Sequence, residues 1–166
     1  MKRTYLIASL GLALILLLTM VAPAMAKPID HGYNWAFMND TFDDAQGHDW
    51  DIYILSYHDG TPGVVDIYSA DLGINIDTVA NVTSRINMNR GIATFQSSYC
   101  DLKVTCTNSS HFTTWGSHKD GAWGTYYDLG PGTIKGTVTY NQATYTVNIT
   151  MTGNDLWLEE RHVIEK

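Results

Sequence analysis

Between residues 134 and 152 the chain alternates apolar side chains with hydroxyl or amide ones. Ile134, Val138, Tyr140, Tyr145, Val147, Ile149 and Met151 fall on one face. Lys135, Thr137, Thr139, Thr146, Asn148, Thr150 and Thr152 fall on the other. A period of two is that of a half-buried β-strand, and two such runs in succession predict a hairpin. Folding at Gln142-Ala143 sets Val138 opposite Val147, Ile134 opposite Met151 and Thr139 opposite Thr146, so both faces match in one register. The nineteen residues from Gly136 to Asn154 carry no charge. Sheet edges are ordinarily blunted by Lys, Pro or an inward charge. An uncharged segment this β-prone is therefore expected to pair with another chain.

The same period recurs upstream. Residues 33–38 and 50–57 read as strands, and His58-Asp59-Gly60-Thr61-Pro62-Gly63 is a turn, because Gly supplies positive φ and Pro fixes φ near −65°. Residues 64–68, 74–82 and 84–88 follow. After the Asn89-Arg90-Gly91 turn come 92–99 and 102–107. Residues 28–32 read as an exposed lead-in and 39–47 as a polar, acidic loop. Residues 108–132 lose the alternation and become rich in Gly, Trp and Tyr, which predicts an aromatic loop. Residues 156–164 suit a last strand or a short helix. About eight to ten short strands, with no repeat and no linker, predict an all-β fold: one antiparallel β-sandwich or barrel-like domain.

The amino terminus has a different pattern. Lys2 and Arg3 precede an apolar run from Leu6 to Val21, and Ala24-Met25-Ala26 is a small-residue cleavage sequence. Residues 1–26 are thus expected to be a signal peptide cleaved between Ala26 and Lys27, leaving residues 27–166 as a single secreted β domain with no membrane span. The alternative is an uncleaved anchor. Cleavage removes two basic charges and no acidic ones, so a net charge of −7 becomes −9. Nucleic acid is excluded as a partner on that balance, since phosphate neutralisation needs clustered Lys and Arg.

Cys100 and Cys106 are the only cysteines. In an oxidising compartment they are expected to pair as a disulfide. Six residues of extended strand would part them by about 20 Å, so an intrachain bond requires a turn near Leu102-Lys103-Val104. The alternative is a bridge between chains. Four N-x-Ser/Thr sequons, at Asn39, Asn81, Asn108 and Asn148, are candidate N-glycosylation sites in an exported protein.

Candidate chemistry is sparse. Asp40, Asp43, Asp44, Asp49 and Asp51 with His48 form an acidic stretch, but it lacks the spacing of a calcium loop and reads as solvated. His111 and His118 with Asp120 specify no ligand geometry, so no metal and no cofactor is expected. No nucleophile elbow, zinc-protease motif or phosphate loop occurs, and no catalytic residue is assigned. Trp115, Trp123 and Tyr127 in the aromatic loop offer flat rings for stacking on sugars. Plugging the end of a sandwich is the alternative use for them.

Taken across residues 1–166, the leader, the alternating β-rich body, the sequons and the uncharged hairpin resemble the major sheath proteins of filamentous methanogenic archaea. The residues that carry the likeness are 2–26 and 133–152. The resemblance implies a structural protein at the cell surface, in a sheath, S-layer or cell wall, that polymerises with itself through strand edges into an amyloid-like assembly without catalysis. Asp155 and Glu159-Glu160 depart from that expectation as charges able to keep the domain monomeric. The alternative is a secreted carbohydrate-binding β-sandwich whose partner is a surface polysaccharide.

Overall fold

Eleven antiparallel strands build the molecule in the computed structural model, which describes residues 28–164. The expected leader, with its cleavage point at Ala26 and Lys27, lies outside the described residues. The strands are β1 (Tyr33–Met38), β2 (Phe42–Asp43), β3 (Asp49–Tyr57), β4 (Gly63–Ser69), β5 (Ile74–Ala80), β6 (Thr83–Asn87), β7 (Ile92–Gln96), β8 (Cys100–Cys106), β9 (Phe112–Ser117), β10 (Ala122–Tyr140) and β11 (Ala143–Val163). They form one curled sheet in the order β5-β4-β3-β1-β11-β10-β8-β7-β6, with β2 added to β3 and β9 to β10. The all-β expectation is met. No helix among the described residues is long and apolar enough to cross a membrane.

The curl comes from β10 and β11, which run 19 and 21 residues, roughly three to four times the commonest strand length. Their register shifts between Tyr127 and Gly130 and again before Gly132. At this bend each strand changes partners. Before it, β10 pairs with β9; after it, with β8. The later part of β11 pairs with β1. The sheet thus has two halves that share β10 and β11, and bulges of this kind are how a sheet turns a corner. Glycine is required there. A Cβ at Gly130 would overlap the Tyr127 phenol, and one at Gly132 the Leu156 side chain. Tyr127 is fully buried under the bend and donates its hydroxyl to the Pro131 carbonyl at 2.7 Å.

Alternation along each strand fills the space between the halves. Trp50, Ile52, Ile54, Val65 and Ile67 from β3 and β4 join Phe95, Leu102, Val104, Ile134, Val147 and Ile149 in one core, each 1% exposed or less. Burying each such side chain is worth about 1.5–3 kcal/mol. The β10–β11 hairpin keeps the two predicted faces but not the predicted register. Its turn is Asn141-Gln142, with φ of 50° and 68°. Val138 therefore faces Tyr145, Ile134 faces Ile149 and Thr139 faces Thr144. A two-residue turn with both φ positive matches the twist of a hairpin, and Asn enters that region more readily than Ala. A two-residue slip preserves which side chains point inward.

Several local expectations are overturned. The intrachain disulfide is absent: Cys100 and Cys106 are free thiols at the two ends of β8. The turn it required cannot form, because Leu102 and Val104 pair with both β7 and β10 and point into the core. Both cysteines are themselves buried, so an interchain bridge is no more accessible. Burial pushes the Cys106 thiol up to about 12 and raises Cys100 as well, the opposite of a reactive thiolate. The aromatic "loop" is β9, flanked by two 3-10 turns at Ser109–His111 and His118–Asp120, and the start of β10. The acidic stretch is not simply solvated. Asp44 is buried and accepts the N–H groups of Gln46 and His48 and the indole N–H of Trp50. One edge of the hairpin is covered, because β8 pairs with β10; the other, β11 over residues 143–155, pairs with no further strand among the described residues and meets an isolated bridge from Asp44 to Ile149.

Candidate functional site

Outward-facing positions of the first half should be polar by the logic of a half-solvated sheet. On β1 and the segments of β3, β10 and β11 beside it, many are aromatic instead. In β1, Asn34, Ala36 and Met38 point inward, leaving Tyr33, Trp35 and Phe37 outside. Cross-strand register then assembles rows of rings. Phe37 lies between Tyr53 and Trp157, Trp35 between Leu55 and Glu159, and Tyr33 between Tyr57 and Arg161. Trp35 sits 5.0 Å from Phe37, 5.6 Å from Tyr53 and 6.1 Å from Trp157 by ring centroids. Tyr126 stacks on Trp157 at 5.2 Å with a 4° interplanar angle. Beyond it, the Arg161 guanidinium lies 5.2 Å from the Trp115 ring and 5.8 Å from Tyr33.

Polar groups are set into this face. Glu159 is 8% exposed, and the Tyr33 hydroxyl reaches its Oε1 at 3.4 Å. The indole N–H of Trp35, that of Trp157 and Nε of Arg161 are covered and have no hydrogen-bond partner among the described residues. Such donors cost about 1–3 kcal/mol each when left unmet. Along the flank, Asp66 faces Tyr53 on one side and Asp77 on the other. Burial and then the Asp77 charge raise the Asp66 carboxyl, while burial, Asp66 and Asp40 raise Asp51.

A second cluster sits where the inner face runs past the core. One step beyond the apolar row Ile54–Ala36–Leu158–Tyr127, the inward row becomes Ser56–Asn34–Glu160–Thr125. The next brings His58 and His162 to either side of Gly32, which has no side chain to keep them apart. His58 N–H donates to the Gly32 carbonyl, continuing the ladder. A Cβ at Gly32 would strike the Arg161 backbone. The imidazole centroids are 4.9 Å apart. The Asp30 carboxylate closes the gap: its Oδ2 lies 2.9 Å from His58 Nδ1 and 2.5 Å from His162 Nδ1. Its Oδ1 accepts the N–H groups of Gly32 and Val163. Burial alone would raise this carboxyl, but hydrogen bonds with His162, His58, Gly32 and Val163 outweigh it and hold it well below the usual range. The cluster opens into a pocket of about 520 Å³ lined by Asn34, Ser56, His58, Ser84, Glu160 and His162.

The predicted site residues scatter. Asn39, Asn81 and Asn108 are exposed outside the strands, and Asn148 is half-buried on the hydroxyl face of β11. Trp115 joins the outer face, but Trp123 lies on the other side of β10, stacked on His162 at 4.8 Å. Tyr127 is core. His111 bonds the Asp128 carbonyl and His118 packs on Trp123, so those two histidines serve separate contacts. Sequence reasoning missed Trp35, Phe37, Tyr53 and Trp157, although Tyr33, Trp35 and Phe37 at alternate positions were a visible signal. It also missed Asp30, His58 and His162, which are too far apart in the chain to give one. Comparison with family models, with curated proteins and with solved structures gave no match.

Proposed function

We propose that this chain is an exported, non-catalytic β domain that binds a polysaccharide on the outer face of β3, β1, β11 and β10. One observation carries the reading: Trp35, Phe37, Tyr53, Tyr126 and Trp157 form a contiguous ring surface where a solvated sheet would carry hydroxyls. Sugar rings present apolar C–H faces and polar rims, and Trp and Tyr combine a flat apolar body with a polar handle. Tyr hydroxyls, Glu159 and Arg161 supply the fixed polar groups that set orientation. Asp51, Asp66 and Asp77 beside the rings disfavour an acidic polymer, so the expected ligand is neutral or an amino-sugar chain. The test is retention on insoluble glucan, mannan and chitin. Trp157→Ala and Trp35→Ala should abolish retention with the fold intact by circular dichroism. Retention unchanged by both variants, or no retention on any polymer, overturns the reading.

A second reading, self-assembly into a surface layer or sheath, is favoured by a separate observation. On the other half Arg85, Lys103 and Lys135 fall in one outward cross-strand row, through Thr94. Asp51, Asp66 and Asp77 stand outward on the first half. Opposite charge on two different faces suits head-to-tail contact, which forms open filaments when the rotation does not close. Sedimentation at low and high salt tests it. Association at low salt that is lost in Lys103→Glu/Lys135→Glu supports assembly, and a monomer at both ionic strengths opposes it.

A further inference from the structure

We propose that Asp30, His58 and His162 bind one divalent transition-metal ion, of the class of Zn²⁺, at the polar mouth of the curled sheet. The three donor atoms all lie within 4.8 Å of one another. A tetrahedral ion with bonds of about 2.0–2.1 Å sets its ligand atoms roughly 3.3 Å apart. Side-chain shifts of up to about 1 Å reach that spacing. Two imidazoles and one carboxylate are a donor set that zinc accepts, whereas magnesium and calcium take oxygens.

Hydrogen bonding on the far side of each ring supplies the independent argument. His58 turns Nδ1 to Asp30 Oδ2 and Nε2 to Asn34 Oδ1, the latter at 3.1 Å. His162 turns Nδ1 to the same Asp30 oxygen and Nε2 to Glu160 Oε1, at 3.5 Å. A neutral imidazole has one N–H, so it cannot donate to two oxygens. As neutral rings without an ion, both histidines donate Nδ1–H to Asp30, the hydrogen bonds that hold its carboxylate charged. A bound cation would take the place of those two protons. The ring N–H then moves to Nε2, which His58 directs to Asn34 Oδ1 and His162 turns toward Glu160.

The outer contacts are those of a metal-ligating histidine, which donates its second N–H to a carboxylate or carbonyl oxygen. Asn34 is held in turn by its amide donating to Ser84 Oγ at 2.8 Å. Trp123 lies flat on His162, at a 12° interplanar angle, and fixes the ring plane. Because Asp30 opens the described chain and His162 nearly closes it, the ion would staple the two ends of the domain. The remaining coordination position faces the pocket, where a water or an oxygen ligand has room.

The experiment is calorimetric titration of the chelator-stripped mature protein with ZnCl₂, CoCl₂ and MgCl₂, with melting curves before and after EDTA. One equivalent of Zn²⁺ should bind and raise the melting temperature by roughly 5–10 °C near 100-fold excess over Kd. EDTA should reverse the rise, and Mg²⁺ should give neither signal. Co²⁺ should show the visible absorption of a tetrahedral ion. His58→Ala and His162→Ala should each weaken Zn²⁺ by more than about 100-fold, and Glu160→Gln by about tenfold. Since Asp30 also ties down the amino-terminal segment, the histidine variants and the cobalt spectrum carry the test if Asp30→Asn fails to fold. Trp35→Ala should bind Zn²⁺ normally. Absence of binding, or binding unchanged when both histidines are replaced, overturns the proposal.

Discussion

Strands β10 and β11 cross from one half of the sheet to the other, and the two ends of the same pair present opposite outer surfaces. Past the bend, residues 133–139 and 144–150 turn Lys135, Thr137, Thr139, Thr144, Thr146, Asn148 and Thr150 outward. Before it, the outward residues are Tyr126, Trp157, Glu159 and Arg161, continued by the aromatic row of β1. Next to the bend both ends bury apolar side chains on the inner face, Tyr127, Leu156 and Leu158 at one and Ile134, Val147 and Ile149 at the other, so the core does not explain the difference. The hydroxyl end shows what this chain does with a surface that only meets water. Half-buried rings in a contiguous outward patch are a feature that folding did not require, and patches of this kind mark interaction surfaces.

The comparison can be broken most forcefully from inside. Val147→Lys is expected to unfold the domain. Its side chain is 1% exposed on the inner face, and a buried unpaired charge added to lost packing costs on the order of 3–5 kcal/mol. Loss of the cooperative melt by circular dichroism checks it. A folded Val147→Lys protein would mean that the two faces of the hairpin had been exchanged.

Trp157→Ala should act mainly on binding. Its ring is half-buried among Trp35, Phe37 and Tyr126, so about 1–2 kcal/mol of stability should be lost. Polysaccharide affinity should fall at least about tenfold, as for a central aromatic anchor. Thr137→Ala and Thr150→Ala, made on the hydroxyl end, sharpen the contrast. Each should stay within about 0.5 kcal/mol of the parent and leave retention unchanged.

The smallest expected effect is electrostatic. Burial and the facing Asp77 raise the Asp66 carboxyl above its ordinary 3.8. The folded state therefore binds that proton more tightly than the unfolded one. The penalty is fully present above the raised value and is relieved as pH falls through it towards 3.8. Asp66→Asn should raise the melting temperature by about 1–2 °C at pH 7, solvent screening keeping the gain small. The gain should vanish below pH 3.8. A gain that persists there would assign it to packing rather than charge.

Strand identity was legible because alternation survives in every core strand, and the inner and outer faces of residues 134–152 were read correctly even with the turn misplaced by one residue. Partner choice was not. Whether a strand edge is covered depends on which strand arrives from elsewhere in the chain, and nothing in residues 133–152 announces β8. The glycine-rich stretch 108–132 hid β9 and the start of β10. Gly116, Gly124 and Gly130 break the side-chain pattern while allowing the close backbone approach that the strands need. Cys100 and Cys106 suggested a bond because they are near in sequence, yet an extended strand holds its two ends apart. Asp30, His58 and His162 meet only through the register of β1 with β3 and β11, to which local pattern is blind.

The five tryptophans give the most direct test of the aromatic face, because they divide between its two sides. Trp35, Trp115 and Trp157 stand outward, whereas Trp50 is in the core and Trp123 packs on His162. Indole N–H resonances in a ¹⁵N-correlated spectrum should be followed while neutral glucan, mannan and chitin oligosaccharides are added. The account predicts saturable shifts for Trp35 and Trp157, a smaller one for Trp115, and none for Trp50. Shifts confined to Trp123, or no shift with any oligosaccharide, would contradict it.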